Sequence, residues 1–116
     1  MSKNGNKAKL ELIINYINDI HMIVLNHGTI EDTLASKEGE YSTMMCIVQI
    51  GEIVSRITEP YIIEKLPVTK IVGLRNRIVH GYEIFDRRMI IDVIKIHIPE
   101  LKNLILEILE EVNGKL

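Results

Sequence analysis

The chain has 116 residues, of which 47% are hydrophobic and 26% are charged. This composition is typical of a folded globular protein, and the length suits a single domain spanning residues 1–116. The net charge of -2 excludes a protein that coats nucleic acid by bulk attraction, because such proteins are usually strongly basic. Residues 65–95 nevertheless contain seven basic and three acidic side chains. That region can face an anion, or it can simply hold the solvated faces of two helices.

The amino terminus and the length of the apolar runs predict where the protein resides, and the single cysteine is assigned from its surroundings. The segment Met1–Lys9 is not followed by the apolar segment of a signal peptide, and no apolar run is long enough to cross a membrane. We therefore expect a cytoplasmic protein without membrane contact, and we expect residues 1–7 to be disordered. Cys46 has no second cysteine for a disulfide or a zinc site, so we interpret it as a core residue.

Apolar residues at helical spacing predict the elements of the amino-terminal half. The first helix is expected from about Ala8 to Leu25. Thr29 precedes two acidic residues in the first turn, Glu31 and Asp32, which predicts the cap of a short helix through about Ala35, and Gly39 is expected to break that helix. A second apolar stripe predicts a longer helix over residues 41–57.

The carboxy-terminal half is predicted to form two more helices. Leu66-Pro67 combines an extended residue with a proline suited to a first helical turn, which predicts a helix over residues 68–80. A last helix is expected over residues 86–112, with a bend caused by Pro99 near residues 95–96. Strand alternation, glycine-rich phosphate loops and internal repeats are absent from the sequence. The prediction is therefore an all-α protein, an antiparallel bundle of about five helices.

The polar residues able to do chemistry are concentrated in the fourth predicted helix. Asn76 and His80 lie at positions i and i+4, on the face opposite the apolar stripe. Arg75 lies on the flank between the two faces, and Glu52 of the preceding long helix is its candidate ion-pair partner. Arg77 lies opposite the apolar stripe, where it is either a contact for RNA phosphates or an ordinary solvated side chain.

These side chains match what metal-free cleavage of RNA requires. The 2′-hydroxyl of RNA is the nucleophile, so the protein must supply a proton acceptor, a proton donor and a cation for the phosphorane charge. His80 can exchange protons, Arg75 can bind phosphate oxygens, and Asn76 can orient either partner. One histidine cannot easily be both acid and base, so we predict a homodimer with a second His80 in the same cleft. Acidic residues with divalent-metal spacing do not accompany the motif, and we expect no metal and no cofactor.

The motif Arg75-x4-His80, with Asn76 after the arginine and Gly81-Tyr82 after the histidine, resembles the HEPN superfamily and, within it, the HepT-like toxins. The resemblance spans nearly the whole chain. The family usually has tryptophan where this sequence has Val68. This difference reduces a packing contact and removes no catalytic group. The remaining matching segments are Gly51-Glu52, Leu66-Pro67, Ile71-x-Gly73-Leu74 and Pro99-Glu100-Leu101.

The resemblance implies a HEPN fold and a dimeric, metal-independent endoribonuclease toxin with Arg75 and His80 as catalytic residues. It also implies a partner, a small nucleotidyltransferase antitoxin of the MntA kind, which adenylylates the motif tyrosine, here Tyr82. A bulky anionic nucleotide two residues from His80 would block RNA and repel its phosphates. Tyr82 could instead only pack against the end of its helix.

Two other functions fit the same fold. One is a non-catalytic HEPN adaptor that binds nucleotides or docks a separate nucleotidyltransferase. The other is a structural dimerisation module built on the apolar residues between Ile90 and Ile108. The intact set of Arg75, Asn76 and His80 favours the enzyme, because an adaptor has no need of these three polar groups beside an apolar stripe.

Overall fold

The fold is described from a computed structural model, in which residues 2–81 and 86–114 are described. Over these two ranges the protein is helical and has no β-strand, which confirms the predicted all-α class. The described ranges contain seven α-helices and one π-helical segment, more than the five helices predicted. These are α1 (Ser2–His27), α2 (Ile30–Ala35), α3 (Lys37–Val54), α4 (Pro60–Lys65), α5 (Val68–Gly81), α6 (Arg87–Asp92), the π segment (Val93–His97) and α7 (Ile98–Gly114).

Helix α3 is the central element, because it packs against α1 on one side and against α5 on the other. The relative direction of α1 and α3 follows from contacts at the ends of these two helices. The last residue of α1, His27, contacts Glu38 at the start of α3, whereas Asn6 near the start of α1 contacts Thr58 after the end of α3. These two helices are therefore antiparallel. Helix α7 covers the remaining flank of α1.

One apolar core runs through these contacts and holds the bundle together. Its members are almost all Ile, Leu and Val, and each fully buried side chain of this size contributes about 1.5–3 kcal/mol relative to an exposed one. Cys46 belongs to this core as predicted, and burial raises the pKa of its thiol to about 11. The apolar residues with the least exposed side chains are Leu10, Ile13, Ile20, Leu34, Ile50, Val54, Ile90, Ile105 and Ile108.

Helix α1 begins at Ser2, earlier than the start near Ala8 that the apolar spacing predicted. The reason is a polar contact that periodicity does not show. Asn6 is buried, its Oδ1 accepts a hydrogen bond from the Thr58 backbone N–H at 3.3 Å, and its Nδ2 lies 3.5 Å from Thr58 Oγ1. This contact attaches the first turns of α1 to the loop between α3 and α4.

The junction between α2 and α3 confirms one prediction and corrects another. Thr29 caps α2, because its Oγ1 accepts a hydrogen bond from the Asp32 backbone N–H at 2.9 Å. Gly39 does not break a helix. It lies in the first turn of α3, which is capped by Ser36. A Cβ atom at position 39 would lie 2.3 Å from the Thr33 carbonyl oxygen. The glycine therefore allows α2 and α3 to pack closely, and it does not form a turn.

Two prolines begin or precede helices in the segment that leads to α5. Pro60 occupies the first turn of α4, a short helix that no pattern in the sequence predicted. Glu59, the residue before α4, forms no side-chain capping bond, so the usual capping signal is missing there. Leu66 is extended with φ -98 and ψ 148, and α5 starts at Val68, as Leu66-Pro67 predicted.

The last predicted helix is continuous from Arg87 to Gly114 but is irregular at its middle. Residues Val93–His97 adopt a π-helical conformation just before Pro99. Proline has no N–H to donate and its ring collides with the carbonyl four residues earlier, here that of Lys95. A π segment is a common way to accommodate such a defect. The bend predicted near Lys95 and Ile96 falls within this π segment.

His27 links the end of α1 to the start of α3 through both ring nitrogens. Its Nδ1 lies 2.8 Å from the Ile23 carbonyl oxygen, and its Nε2 lies 3.1 Å from Glu38 Oε1. Both partners are acceptors, so only the protonated ring can donate to both. The hydrogen bond to Ile23, opposed by desolvation and assisted by Glu38 and the charge of Asp32, raises the pKa of His27.

We expect the His27 contact to make stability depend on pH. The folded-state pKa is raised above the ordinary value of 6.5, so the stabilisation is complete below 6.5 and is lost as pH rises through the folded-state pKa. Urea unfolding of the wild type and of His27→Gln, from about pH 5 to about pH 9, measures the difference in unfolding free energy. The difference should shrink as pH rises. A difference that is constant over this range contradicts the assignment.

Candidate active site

Helix α5 carries most of the predicted site and is amphipathic as expected. Its inner face packs against α3, with Ile78 buried and Ile71 and Leu74 partly buried. Its outer face exposes Asn76 and His80, one turn apart. The structure thus confirms that these two polar side chains lie on the side of α5 away from the core.

Arg75 lies on the flank of α5, between the buried and exposed faces. Its side chain is 21% exposed, so most of it is covered by protein. The covering element is α3, which comes so close that a Cβ atom at Gly51 would lie 2.5 Å from Arg75 Cβ and 2.8 Å from Arg75 Cγ. The aliphatic stem of the arginine therefore occupies the space that any larger residue at position 51 would fill.

The guanidinium of Arg75 pairs with Glu52, the partner proposed from the sequence, through an ion pair between Nη1 and Oε1. The Glu52 side chain is 37% exposed, so solvent screens the pair and its contribution to stability is on the order of 0–1 kcal/mol. The main effect of the pair is therefore geometric. Arg75 Nε is buried and has no hydrogen-bond acceptor among the residues that the structure describes.

The rest of the motif is solvent-facing or lies outside the described residues. Arg77 is exposed, as is Val79, whose side chain is 53% accessible. The structure brings Arg75 and Glu52 together, and it places Asn76, Arg77 and His80 on the exposed side of the same helix without a direct contact between them. Tyr82, the predicted site of adenylylation, lies outside the described residues, between Gly81 and Asp86.

The residues that follow the motif in the sequence contact the amino-terminal half of α3. Arg87, at the start of α6, pairs with Glu40 of α3 at 3.6 Å, and Asp86 caps α6 by accepting a hydrogen bond from the Arg88 backbone N–H at 2.9 Å. Because Gly51 lies beside Arg75 and Glu40 lies beside Arg87, Arg87 at the start of α6 lies nearer the start of α3 than Arg75 does. The Glu40–Arg87 pair was not predicted, since neither residue has a sequence signal that distinguishes it from a solvated charge.

Gly51 is a site residue whose role sequence reasoning missed. It belongs to the segment Gly51-Glu52 that resembles the family, but no sequence pattern predicted its contact with Arg75. The available signal was a glycine within a helical apolar stripe, which often marks a close approach between backbones. That signal does not identify the neighbouring residue, because the partner depends on how the two helices cross.

Among the residues 2–81 and 86–114, His, Cys, Asp and Glu side chains form no group of three that could hold a metal ion. The helices in these ranges include none with the length and hydropathy needed to cross a membrane.

Comparison with known proteins places this motif in a family. The family described as "Ribonuclease HepT-like" matches residues 13–108. A protein of Methanocaldococcus jannaschii named "Putative RNase MJ1216" is 30% identical over 99% of this chain and 96% of its own length. A second protein of that organism, "Putative RNase MJ0125", is 29% identical over 99% of this chain and its whole length. No solved structure matches the chain significantly. With its helical fold and a family match over most of its length, the chain belongs to the HepT-like ribonuclease family of the HEPN superfamily.

Proposed function

We propose that this protein is an endoribonuclease toxin that cleaves RNA without a metal ion, using Arg75 and His80 as catalytic residues. The observation that carries the proposal is the arrangement on α5. An arginine held by a carboxylate lies at the edge of a helix whose exposed face presents Asn76 and His80. Membership in a family of ribonucleases and the names of both relatives support it.

The chemistry follows from the properties of these side chains. The positively charged guanidinium of Arg75 donates to a phosphate oxygen and stabilises the extra negative charge of the phosphorane. His80 takes the proton of the 2′-hydroxyl, or gives one to the leaving 5′-oxygen. The attack forms a bond between the 2′-oxygen and phosphorus and breaks the bond to the 5′-oxygen. The products are a 2′,3′-cyclic phosphate and a 5′-hydroxyl.

Asn76 and Arg77 support this reaction in the proposal. Asn76 is one turn before His80 on the exposed face, so its amide can orient the imidazole or a phosphate oxygen. Arg77 is exposed and lies away from the core, where its charge can contact a neighbouring phosphate of the same RNA strand.

A homodimer completes the site, because each chain supplies one histidine to a reaction that moves two protons. A two-fold axis beside α5 would bring a second His80 to the same cleft. Exposed apolar side chains on α5 and α3 support such a contact. Val79 is 53% accessible, and Met45, two turns before Glu52 on α3, is 58% accessible. We propose that these residues are covered in the dimer.

Regulation by a nucleotidyltransferase antitoxin of the MntA kind is part of the same proposal. The acceptor would be the hydroxyl of Tyr82, two residues after His80 in the sequence. Transfer of an adenylyl group would join its phosphorus to the tyrosine oxygen and release pyrophosphate from ATP. The attached nucleotide adds bulk and negative charge next to the catalytic histidine, and both oppose RNA binding.

The test is cleavage of total bacterial RNA by the purified protein in EDTA. We expect new RNA ends with the wild type, with 2′,3′-cyclic phosphates on the 5′ fragments. The matched negative control is the double variant Arg75→Ala/His80→Ala, purified in the same way, which should leave the RNA intact. Equal cleavage by both proteins would indicate a contaminating nuclease, and an intact wild-type reaction would contradict the proposed function.

A further inference from the structure

We infer that Gly51 and Glu52 of α3 are positioning residues for Arg75. Together they form a cradle, defined as the open space at Gly51 and the carboxylate of Glu52, that holds the arginine in one orientation. The link to catalytic rate rests on the proposed function. The orientation itself is a property of the folded chain and can be measured without RNA.

The first half of the cradle is steric. A Cβ atom at position 51 would lie 2.5 Å from Arg75 Cβ, 2.8 Å from Arg75 Cγ and 3.5 Å from the Ile71 carbonyl oxygen. The first of these neighbours is fixed to the backbone of α5 and cannot move aside as the end of a long side chain could. Glycine is unfavourable inside a helix, so its presence at this buried position of α3 calls for a reason. The close approach to Arg75 supplies that reason.

The second half of the cradle is electrostatic. Glu52 follows Gly51 on α3 and pairs with Nη1 of Arg75, so the stem and the head of the arginine are held by consecutive residues. Arginine has a long side chain with several rotatable bonds, and phosphate recognition needs its planar fork at one angle. The pair fixes that angle. The ion pair occupies Nη1, and the buried Nε has no acceptor among the described residues.

Two matched controls separate the cradle from general effects on the helices. Glu107 is an exposed glutamate on α7, a helix without substantial contact with α5, so Glu107→Gln removes a similar charge elsewhere. Gly73 lies inside α5, and a Cβ atom there would have no atom within 4 Å. Gly73→Ala therefore adds the same methyl group as Gly51→Ala without the collision.

The direct test is NMR of the Arg75 side chain, with its Nε–H signal assigned by comparison with Arg75→Lys. In the wild type the Nε–H group should be ordered, and its signal should be shifted from that of a free arginine. Glu52→Gln should move it toward the free position while circular dichroism stays unchanged, whereas Glu107→Gln and Gly73→Ala should leave it in place. Gly51→Ala should move it as well if that variant folds. An unchanged Arg75 signal in Glu52→Gln would overturn the inference.

The rate test compares the effect of Glu52→Gln on kcat in the wild type with its effect in Arg75→Lys. Glu52→Gln should lower kcat by roughly tenfold with little change in KM, since a misplaced catalytic group slows the chemical step. In an Arg75→Lys background, Glu52→Gln should cause no further loss, because there is no guanidinium to position. An equal loss in both backgrounds would refute positioning through Arg75. If the wild type cuts no RNA, the proposed function fails, and the NMR result still decides the inference.

Discussion

Replacing His80 by alanine is expected to lower kcat for RNA cleavage by about 10²–10⁴-fold, the range typical for loss of a general acid or base. His80 is exposed on the outer face of α5, away from the core, so its removal should not disturb folding. The measurement is single-turnover cleavage of a labelled RNA in EDTA. The binding constant for the RNA should change much less than the rate, because Arg75 and Arg77 remain.

The control for this prediction is His97→Ala. His97 is also an exposed histidine, but it lies in the π segment and its Nδ1 is 3.2 Å from Glu100 of its own helix. Its loss should leave the cleavage rate within about twofold of the wild type, as for most surface substitutions. If His80→Ala cleaves at the wild-type rate, the assignment of His80 is wrong. If both variants lose activity, the effect is a general one and does not locate the site.

Local signals in the sequence were enough to predict much of the fold. Thr29 before acidic residues predicted the cap of α2, and Leu66-Pro67 predicted the start of α5 at Val68. Both depend on hydrogen bonds or dihedral angles within a few residues, which the local sequence determines. Apolar spacing likewise predicted α3, although its start was placed at residue 41 and not at Lys37.

The errors arose where contacts distant in sequence determine the outcome. Gly39 has the local character of a helix breaker, yet it lies in the first turn of α3, and the close approach of the Thr33 carbonyl oxygen of α2 explains why this residue is a glycine. The early start of α1 depends on Asn6 reaching Thr58, 52 positions away. Periodicity reports which face of a helix is buried, but it contains no information on which residue of another helix lies opposite.

In the candidate site, too, local features were predicted correctly and contacts between distant residues were harder to predict. The positions of Arg75, Asn76 and His80 around α5 follow from helical geometry, and burial in the structure agrees with them. The pairing of Arg75 with Glu52 was proposed from the sequence and is present. The close approach at Gly51 could not be predicted, because it requires the crossing point of α3 and α5. The role of each residue in catalysis remains a prediction for the experiments above.

The proposed dimer leads to a second large expected effect, in a mixed dimer of one wild-type chain and one His80→Ala chain. If the two copies of His80 serve as acid and base in one cleft, the mixed dimer has lost one of two required proton transfers. Its cleavage rate should then be about 10²-fold or more below the wild type. Two affinity tags, one on each chain, allow the mixed dimer to be purified and its composition checked by native mass spectrometry.

The result separates two arrangements that the single-variant experiment cannot distinguish. If each chain acts independently, the mixed dimer keeps one intact site and should cleave at about half the wild-type rate. A mixed dimer of wild-type and His97→Ala chains is the control for tagging and purification, and it should retain full activity. If the protein is monomeric at the assay concentration, the shared cleft is refuted. A single His80 must then perform both proton transfers in turn, which requires the ring to release a proton at one oxygen after taking one from another.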